Sequence, residues 1–428
     1  MRAAHLAPVL SCTLLQIGLA VRVCAVVRPA EDHHHDYRCL VSPGSPLRMT
    51  ARSRILLRQL HLWLGLGLGG LFALLGATGS SLVFYIEIDK ALHPAIEQTV
   101  AGNGPDWSSP VWDRALATAR SRWDNPHGSW SFEATGEPGA IPARYYPSDH
   151  HSHHGDREMV WFSADGTQIL RAEPWGGYLM SWLYELHMHL LAGEVGSQIV
   201  GWSGFAMLAL LVSGIVVWWP RGSWRKAFAF KRNAVALRRL RDLHKLTGVW
   251  SMALLFILVG TGALLALPTI KAQLLTAVIV APDKVPDPQS GESEGQQITV
   301  SRALAAAHRA MPDARLASID VPGAGSEPFR MRVQLPGDPH RRFPSSFIFI
   351  DQYSGAVLAV HDVRRGNAST TTAKWIRVLH DGSIAGLSTR ILAVILGFVP
   401  LGLFVTGFLH WRRRLAARAQ SNKTGRFS

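Results

Sequence analysis

Four histidines fall into two spaced pairs that suit ligation of a flat, metal-centred group. His61 and His244 share an ungapped register of 183 residues. Each is followed by Gly at the fourth position on (Gly65, Gly248) and by Thr-Gly at the seventeenth (Thr78-Gly79, Thr261-Gly262). His187 and His380 share a register of 193 residues. In it Leu186-His187 matches Leu379-His380, Gly193 matches Gly386, Gly204-Phe205 matches Gly397-Phe398, and Ser213-Gly214 matches Thr406-Gly407. Trp218 and Arg221 match Trp411 and Arg414. Two copies of one unit that start on the same side of a membrane bring equivalent residues together across a pseudo-twofold axis along the membrane normal. Each pair can then clamp one symmetric ligand between two imidazoles. Haem b is such a ligand and asks only histidine of the protein, and two axial imidazoles leave no open position, which favours electron transfer over oxygen chemistry. A lone histidine at a helix end is more often an interfacial or capping residue. Four of them in two related pairs, at or near membrane spans, point to function.

Other residues compete for chemistry. His189, two residues from His187 and on another helix face, is an alternative ligand for that pair. His410 has no repeat partner and reads as interfacial. The run Asp-His-His-Ser-His-His-Gly-Asp at 149–156 has the ligand density of a weak metal site, through His150, His151, His153 and His154, or is a solvated loop. The run GLGLGG at 65–70 mimics a dinucleotide fingerprint but sits in an apolar span with no strand before it, so no flavin or nicotinamide site is expected. The three cysteines, Cys12, Cys24 and Cys39, all lie near the start. Residues 40–428 therefore hold no iron–sulfur cluster, cysteine zinc site, covalent haem attachment or disulfide framework. No catalytic side chain is identified.

The elements that must position these histidines are membrane spans. Of the 428 residues only 17% are charged while 48% are apolar, a composition unlike that of a soluble protein. Four runs, at about 61–85, 196–219, 244–267 and 391–411, are long enough to cross a bilayer, which takes about 20 residues. Glycine and other small residues are frequent within them, as close helix packing in lipid requires. The net charge of +14 is concentrated: residues 221–241 carry eight Lys/Arg and residues 412–426 carry six, with no acid in either stretch. Both clusters abut apolar runs, so they read as membrane topology and not as a nucleic-acid surface. With Arg52, Arg54 and Arg58 ahead of the first span, the positive-inside rule places both termini and the middle loop in the cytoplasm. The loops at about 86–186 and 268–379 then lie outside, in the periplasm of a bacterium.

Each outer loop reads as one helix followed by three or four strands, a small α+β domain. The organisation expected is a leader at 1–48 and a cytoplasmic start with the first span at 49–85. An outer domain at 86–186 and an outer histidine segment with the second span at 187–219 complete the first copy. A basic loop at 220–243 joins it to the third span at 244–267, the second outer domain at 268–379, the outer histidine segment and fourth span at 380–411, and a basic tail at 412–428. The leader matches nothing in the repeat, and Met49-Thr-Ala-Arg-Ser-Arg reads as a natural cytoplasmic start. From His187 to Trp218 is about 46 Å as one continuous helix, well beyond a bilayer core. That segment must project out of the membrane or break near Gly193 and Gly196, and the same holds from His380 to Trp411.

The motifs LHLWLGL, LHMHLLAG with a span ending SGIVVWWPR, DLHKLTG, and LHDG with TGFLHWRRR resemble those of the PepSY-associated transmembrane proteins, also called iron-regulated membrane proteins. The resemblance covers about residues 50–415. It implies an α-helical membrane protein with four transmembrane helices in two pseudo-twofold repeats, each carrying a PepSY-like periplasmic domain. It further implies a bacterial inner-membrane oxidoreductase that holds two b-type haems and reduces ferric siderophores outside. Since no flavin or nicotinamide motif is present, the electron donor would be quinol or a separate reductase. The alternatives are a non-redox sensor or protease regulator of the PepSY type, and a metal or haem permease. Beyond lipid, no nucleic acid is expected as a partner.

Overall fold

A computed structural model describes residues 50–96, 102–147, 157–220, 222–291 and 295–424. The expected leader and the run holding His150, His151, His153 and His154 lie outside the described residues.

In chain order, α1 (Ala51–Leu82) leads through the short α2 (Tyr85–Leu92) to α3 (Val111–Arg122) and strands β1 (Ser129–Glu133), β2 (Ile141–Tyr146), β3 (Glu158–Phe162) and β4 (Ile169–Pro174). Helices α4 (Leu179–His189), α5 (Gly193–Trp218), α6 (Trp224–Ala227), α7 (Ala236–Ala266) and α8 (Pro268–Val278) follow. Then come α9 (Val300–Ala310), β5 (Arg315–Val321), β6 (Phe329–Gln334), β7 (Ser346–Ile350) and β8 (Val357–His361), and finally α10 (Ala368–Asp381) and α11 (Leu387–Thr424).

Helices α1, α5, α7 and α11 are the four that are long and apolar enough to cross a membrane. Three of them begin or end well beyond the apolar runs read from sequence. The Thr50 hydroxyl accepts the Ser53 amide and so starts α1 ten residues before His61. Arginine favours helix as readily as leucine does, so the helix runs on through the basic flank where hydropathy falls. Small residues let the spans approach. Gly76 and Gly397 bring α1 and α11 into backbone contact, and the Ser80 hydroxyl there donates to the Val394 carbonyl (3.0 Å). Gly204 lies against Ala263 and joins α5 to α7.

Of the two alternatives for the segment before the second span, projection or a break, the structure takes the break. Leu190, Leu191 and Gly193 take φ values of 48, 58 and 56°, ending α4 at His189 and starting α5 in a new direction. Two leucines in left-handed backbone are a costly way to turn a chain. The corresponding turn between α10 and α11 uses Gly382 and Gly386 at 74 and 68°, where glycine meets no such cost.

Each loop supplies one helix followed by four strands, as expected, and the two sets of strands join. All eight form one antiparallel sheet in the order β4-β3-β2-β1-β5-β6-β7-β8. The seam is β1 against β5, with Phe132 opposite Ile319 and Ser131 opposite Asp320. One face carries Trp130, Phe132, Ile319, Val321, Phe329 and Met331, all buried in a single core that α3 and α9 cover with Trp112, Leu116, Val300 and Leu304. A seam buried in one shared core cannot be opened without exposing apolar surface to water.

The second face looks toward the ends of α1 and α4, where Met159 and Trp161 pack on Tyr178 and Met180, and elsewhere it is charged. Glu133 sits there, nearly buried, with Arg342 bonded to both its oxygens (3.0 and 3.1 Å) and Arg144 to one. Burial alone would raise its pKa, but Arg342 and Arg144 hold it down at about 2. Because Arg144 belongs to β2 and Arg342 to the loop before β7, this one acid ties the two halves of the sheet together. An acid whose pKa is depressed on folding contributes stability at neutral pH, and that contribution fades as pH falls from the ordinary 4.5 toward 2. Glu133→Gln leaves two guanidiniums short of charge and should cost about 3–5 kcal/mol. Tryptophan-monitored unfolding of the purified chain should show that loss at pH 7, and the variant should lack the wild type's destabilisation between pH 4.5 and 3. Equal stability of the two chains at pH 7 would refute the clamp.

Candidate functional site

The structure brings the four histidines together in two pairs. The imidazole centres of His61 on α1 and His244 on α7 are 6.4 Å apart, with ring planes at 89°. Those of His187 on α4 and His380 on α10 are 6.3 Å apart, with planes at 31°. Along α1, His61 and Gly79, which packs on His187, are separated by about 27 Å. The pairs therefore sit at opposite ends of the spans, with His187 and His380 on the side of the sheet.

Each of the four rings is held through its Nδ1, three by a leucine carbonyl and His61 by a serine hydroxyl. His187 Nδ1 donates to the Leu75 carbonyl (3.0 Å), His380 Nδ1 to Leu258 (2.9 Å) and His244 Nδ1 to Leu403 (3.0 Å). A carbonyl only accepts, so each Nδ1 carries the proton. His61 Nδ1 lies 2.8 Å from the Ser213 hydroxyl, whose own proton goes to the Leu210 carbonyl, so His61 also donates through Nδ1. All four imidazoles thus share one tautomer, which leaves the Nε2 lone pair unprotonated. Among the described residues no Nε2 of these four makes a hydrogen bond.

Backbone space is matched to the rings. A Cβ built on Gly79 would stand 2.8 Å from His187 Cε1, and one on Gly262 would stand 2.6 Å from His380 Cε1. The corresponding distances are 3.1 Å from Gly214 to His61 and 3.3 Å from Gly407 to His244. His187 and His380 lie where only glycine leaves room, and His61 and His244 lie where a Cβ would be tight. The cradles share a pattern, Leu-x-x-Ser/Thr-Gly: Leu75 to Gly79, Leu210 to Gly214, Leu258 to Gly262 and Leu403 to Gly407. The leucine supplies the carbonyl, the hydroxyl residue backs it, and the glycine opens the gap. Sequence reading noted these Ser/Thr-Gly pairs as markers of similarity but did not assign them to the histidines. Their occurrence once in each span is the signal that would have done so.

His189 is not brought to the second pair. Its Nδ1 sits 2.7 Å from Glu185, one turn back on α4, and Glu185 is also held by Trp175 Nε1 (2.6 Å).

A metal bound by imidazole lies about 2 Å from nitrogen, so two rings on opposite sides of one ion have centres roughly 6 Å apart. Both pairs meet that spacing. Among the described residues no third His, Cys, Asp or Glu joins either to complete an ion site made of protein alone. The donor set suits a group that brings its remaining ligands with it.

Four helices long and apolar enough to cross a membrane, with an antiparallel sheet domain at one end of them, define a membrane protein. The family model of the PepSY-associated TM region matches residues 58–414, and the chain belongs to that family. Over 96 residues it is 32% identical to an uncharacterized protein of Pseudomonas aeruginosa. That stretch covers 22% of this chain and 24% of the relative, so the match spans about a quarter of the relative's length.

Proposed function

We propose that each histidine pair holds one haem b and that the chain carries electrons across a bacterial inner membrane to ferric siderophores. The observation that carries this reading is the common tautomer: four imidazoles, each donating Nδ1–H to a span and each keeping Nε2 free, in pairs spaced for one metal. Donation through Nδ1 orients a ligating ring and raises the basicity of its other nitrogen. Haem supplies a one-electron ferric/ferrous couple when bound. The chain's own part is to fix the four nitrogens, exclude water with apolar spans and set the two sites on opposite faces. His61 and His244 serve the cytoplasmic side, where quinol or a separate reductase delivers the electron; His187 and His380 serve the periplasmic side. One electron reduces the chelated iron from Fe(III) to Fe(II), which binds hard oxygen ligands more weakly, so the chelate loosens.

The symmetric strand order supports reading the chain as two pseudo-twofold repeats. So does the exchange of roles: α1 and α7 each carry one histidine and the cradle for another. Protein purified in detergent after haem-replete expression should be red, reducible by dithionite, with two haems per chain. Colourless protein would return the reading to a sensor or regulator.

The topology is tested separately. Basic flanks on three sides of the membrane spans predict both termini in the cytoplasm. A reporter active only in the periplasm should work when fused near Gly139 or Gly291 and fail at the C-terminus. Activity at the C-terminus would exchange the faces of the two sites.

A further inference from the structure

The polar face of the sheet holds more guanidinium than its acids neutralise. Glu133 serves Arg144 and Arg342, and Asp320 serves Arg330 (2.7 Å) and the Ser131 hydroxyl (2.6 Å). The guanidinium of Arg332, two residues along β6 and on the same face as Arg330, makes no hydrogen bond or ion pair with the described residues, and neither does that of Arg377 on α10. Both are placed by rings. Arg332 lies over Phe343 (5.9 Å) and Phe347 (5.1 Å), and Arg377 lies over Phe343 (5.1 Å). Arg342 approaches Phe343 as well (5.2 Å). Three guanidiniums therefore surround one phenyl ring, two of them without an acid. Burial is the main cause pushing the Arg332 pKa down to about 10; Asp320 opposes the shift, and Arg330, Arg144 and Arg377 add repulsion.

Like charges gathered out of water are unfavourable until an anion joins them. A guanidinium fork recognises planar oxyanions by paired hydrogen bonds, a geometry lysine cannot supply. Arg377 precedes His380 by three residues, one turn of α10, so the cluster borders the second histidine pair.

We propose that Arg332 and Arg377, with Arg342 on the third side, bind an oxyanion group, a carboxylate above all. Two sources share that chemistry. One is a carboxylate of the group held by His187 and His380, which rests on the haem reading above; the other is a carboxylate of a diffusing ferric chelate, which does not.

The test uses the full-length purified chain, the double variant Arg332→Gln plus Arg377→Gln, the single variant Arg377→Gln, and Arg309→Gln, at an exposed position of α9, as a charge control. Redox-inert gallium(III) citrate is the binding probe, measured by equilibrium dialysis, and the midpoint potentials of bound haem are read by optical titration. If the ligand diffuses in, the double variant weakens gallium citrate binding at least about tenfold and leaves both potentials unchanged. If it is a haem carboxylate, the double variant lowers the potential of one haem only, because lost positive charge favours the ferric form. Arg377→Gln shifts the same readout in the same direction by less, which keeps the proposal testable should the double variant fail to fold. Unchanged binding and unchanged potentials in all variants overturn it. Colourless protein that still binds gallium citrate through these arginines would refute the haem reading and leave the oxyanion site standing.

Discussion

If each histidine pair holds haem as proposed, Gly262→Ala should empty the sheet-side site and leave the other filled. The added Cβ would stand 2.6 Å from His380 Cε1, closer than any tolerated contact, and 3.1 Å from its Nδ1, which is also tight. The ring must leave its cradle and give up the bond from Nδ1 to the Leu258 carbonyl. Overpacking of this kind costs about 1–3 kcal/mol where the surroundings cannot yield. Here the yielding part is the ligand itself, so the cost falls on haem retention. Gly79→Ala acts on His187 at 2.8 Å and should deplete the same haem. Gly214→Ala and Gly407→Ala, at 3.1 and 3.3 Å, should have milder effects on the other site. Gly65→Ala and Gly402→Ala have nothing within 4 Å and serve as controls; in a helix interior they should gain up to about 1 kcal/mol. The haem-to-protein ratio, expected to fall from two toward one, decides the matter. Gly262→Ala and Gly79→Ala proteins that keep both haems would sink the cradle argument.

The second large effect is a pattern of non-additivity. His61→Ala or His244→Ala alone should remove one haem, because one imidazole holds a macrocycle poorly against water and detergent. Changing both should cost little more than either. His187→Ala and His380→Ala should behave likewise at the other site, whereas one change from each pair should remove both haems. Groups that share one partner couple in this way, and distant independent sites add. His189→Ala should keep two haems, since that ring is committed to Glu185. If His189→Ala loses a haem and His187→Ala does not, the ligand set on α4 is wrong. Retention of both haems in all four single variants would place the ligands elsewhere.

Much of this was legible in the sequence for local reasons. A run of apolar residues long enough to cross lipid declares itself by length, and the four spans follow from that alone. The strands around Trp130, Met159, Phe329 and Phe347 show in short runs of β-branched and aromatic residues between turn signals. Before α5 arithmetic left two options, projection or a break near Gly193, since a helix from His187 to Trp218 exceeds the bilayer, and the structure takes the break. What the turn would cost did not follow. Leu190 and Leu191 in left-handed backbone are a conformation that no propensity would assign to leucine.

By itself, then, the sequence determined the spans, the strands and the four histidines in two registers, because hydropathy, side-chain alternation and spacing are carried by neighbouring residues. Only the tertiary structure decided that the two long segments between spans share one sheet, because the β1–β5 seam joins residues near 131 and 320 through a common core. It alone distinguished His187 from His189, which sit two positions apart and differ in what faces them: a Leu-x-x-Thr-Gly cradle 109 residues away in sequence, or a glutamate on the same helix. The tautomers were decided there too, since each Nδ1 finds its acceptor 112 to 159 residues distant for His187, His380 and His244, and 152 for His61. A ligand nitrogen is defined by the bond its other nitrogen makes, and that bond exists only once the spans have packed.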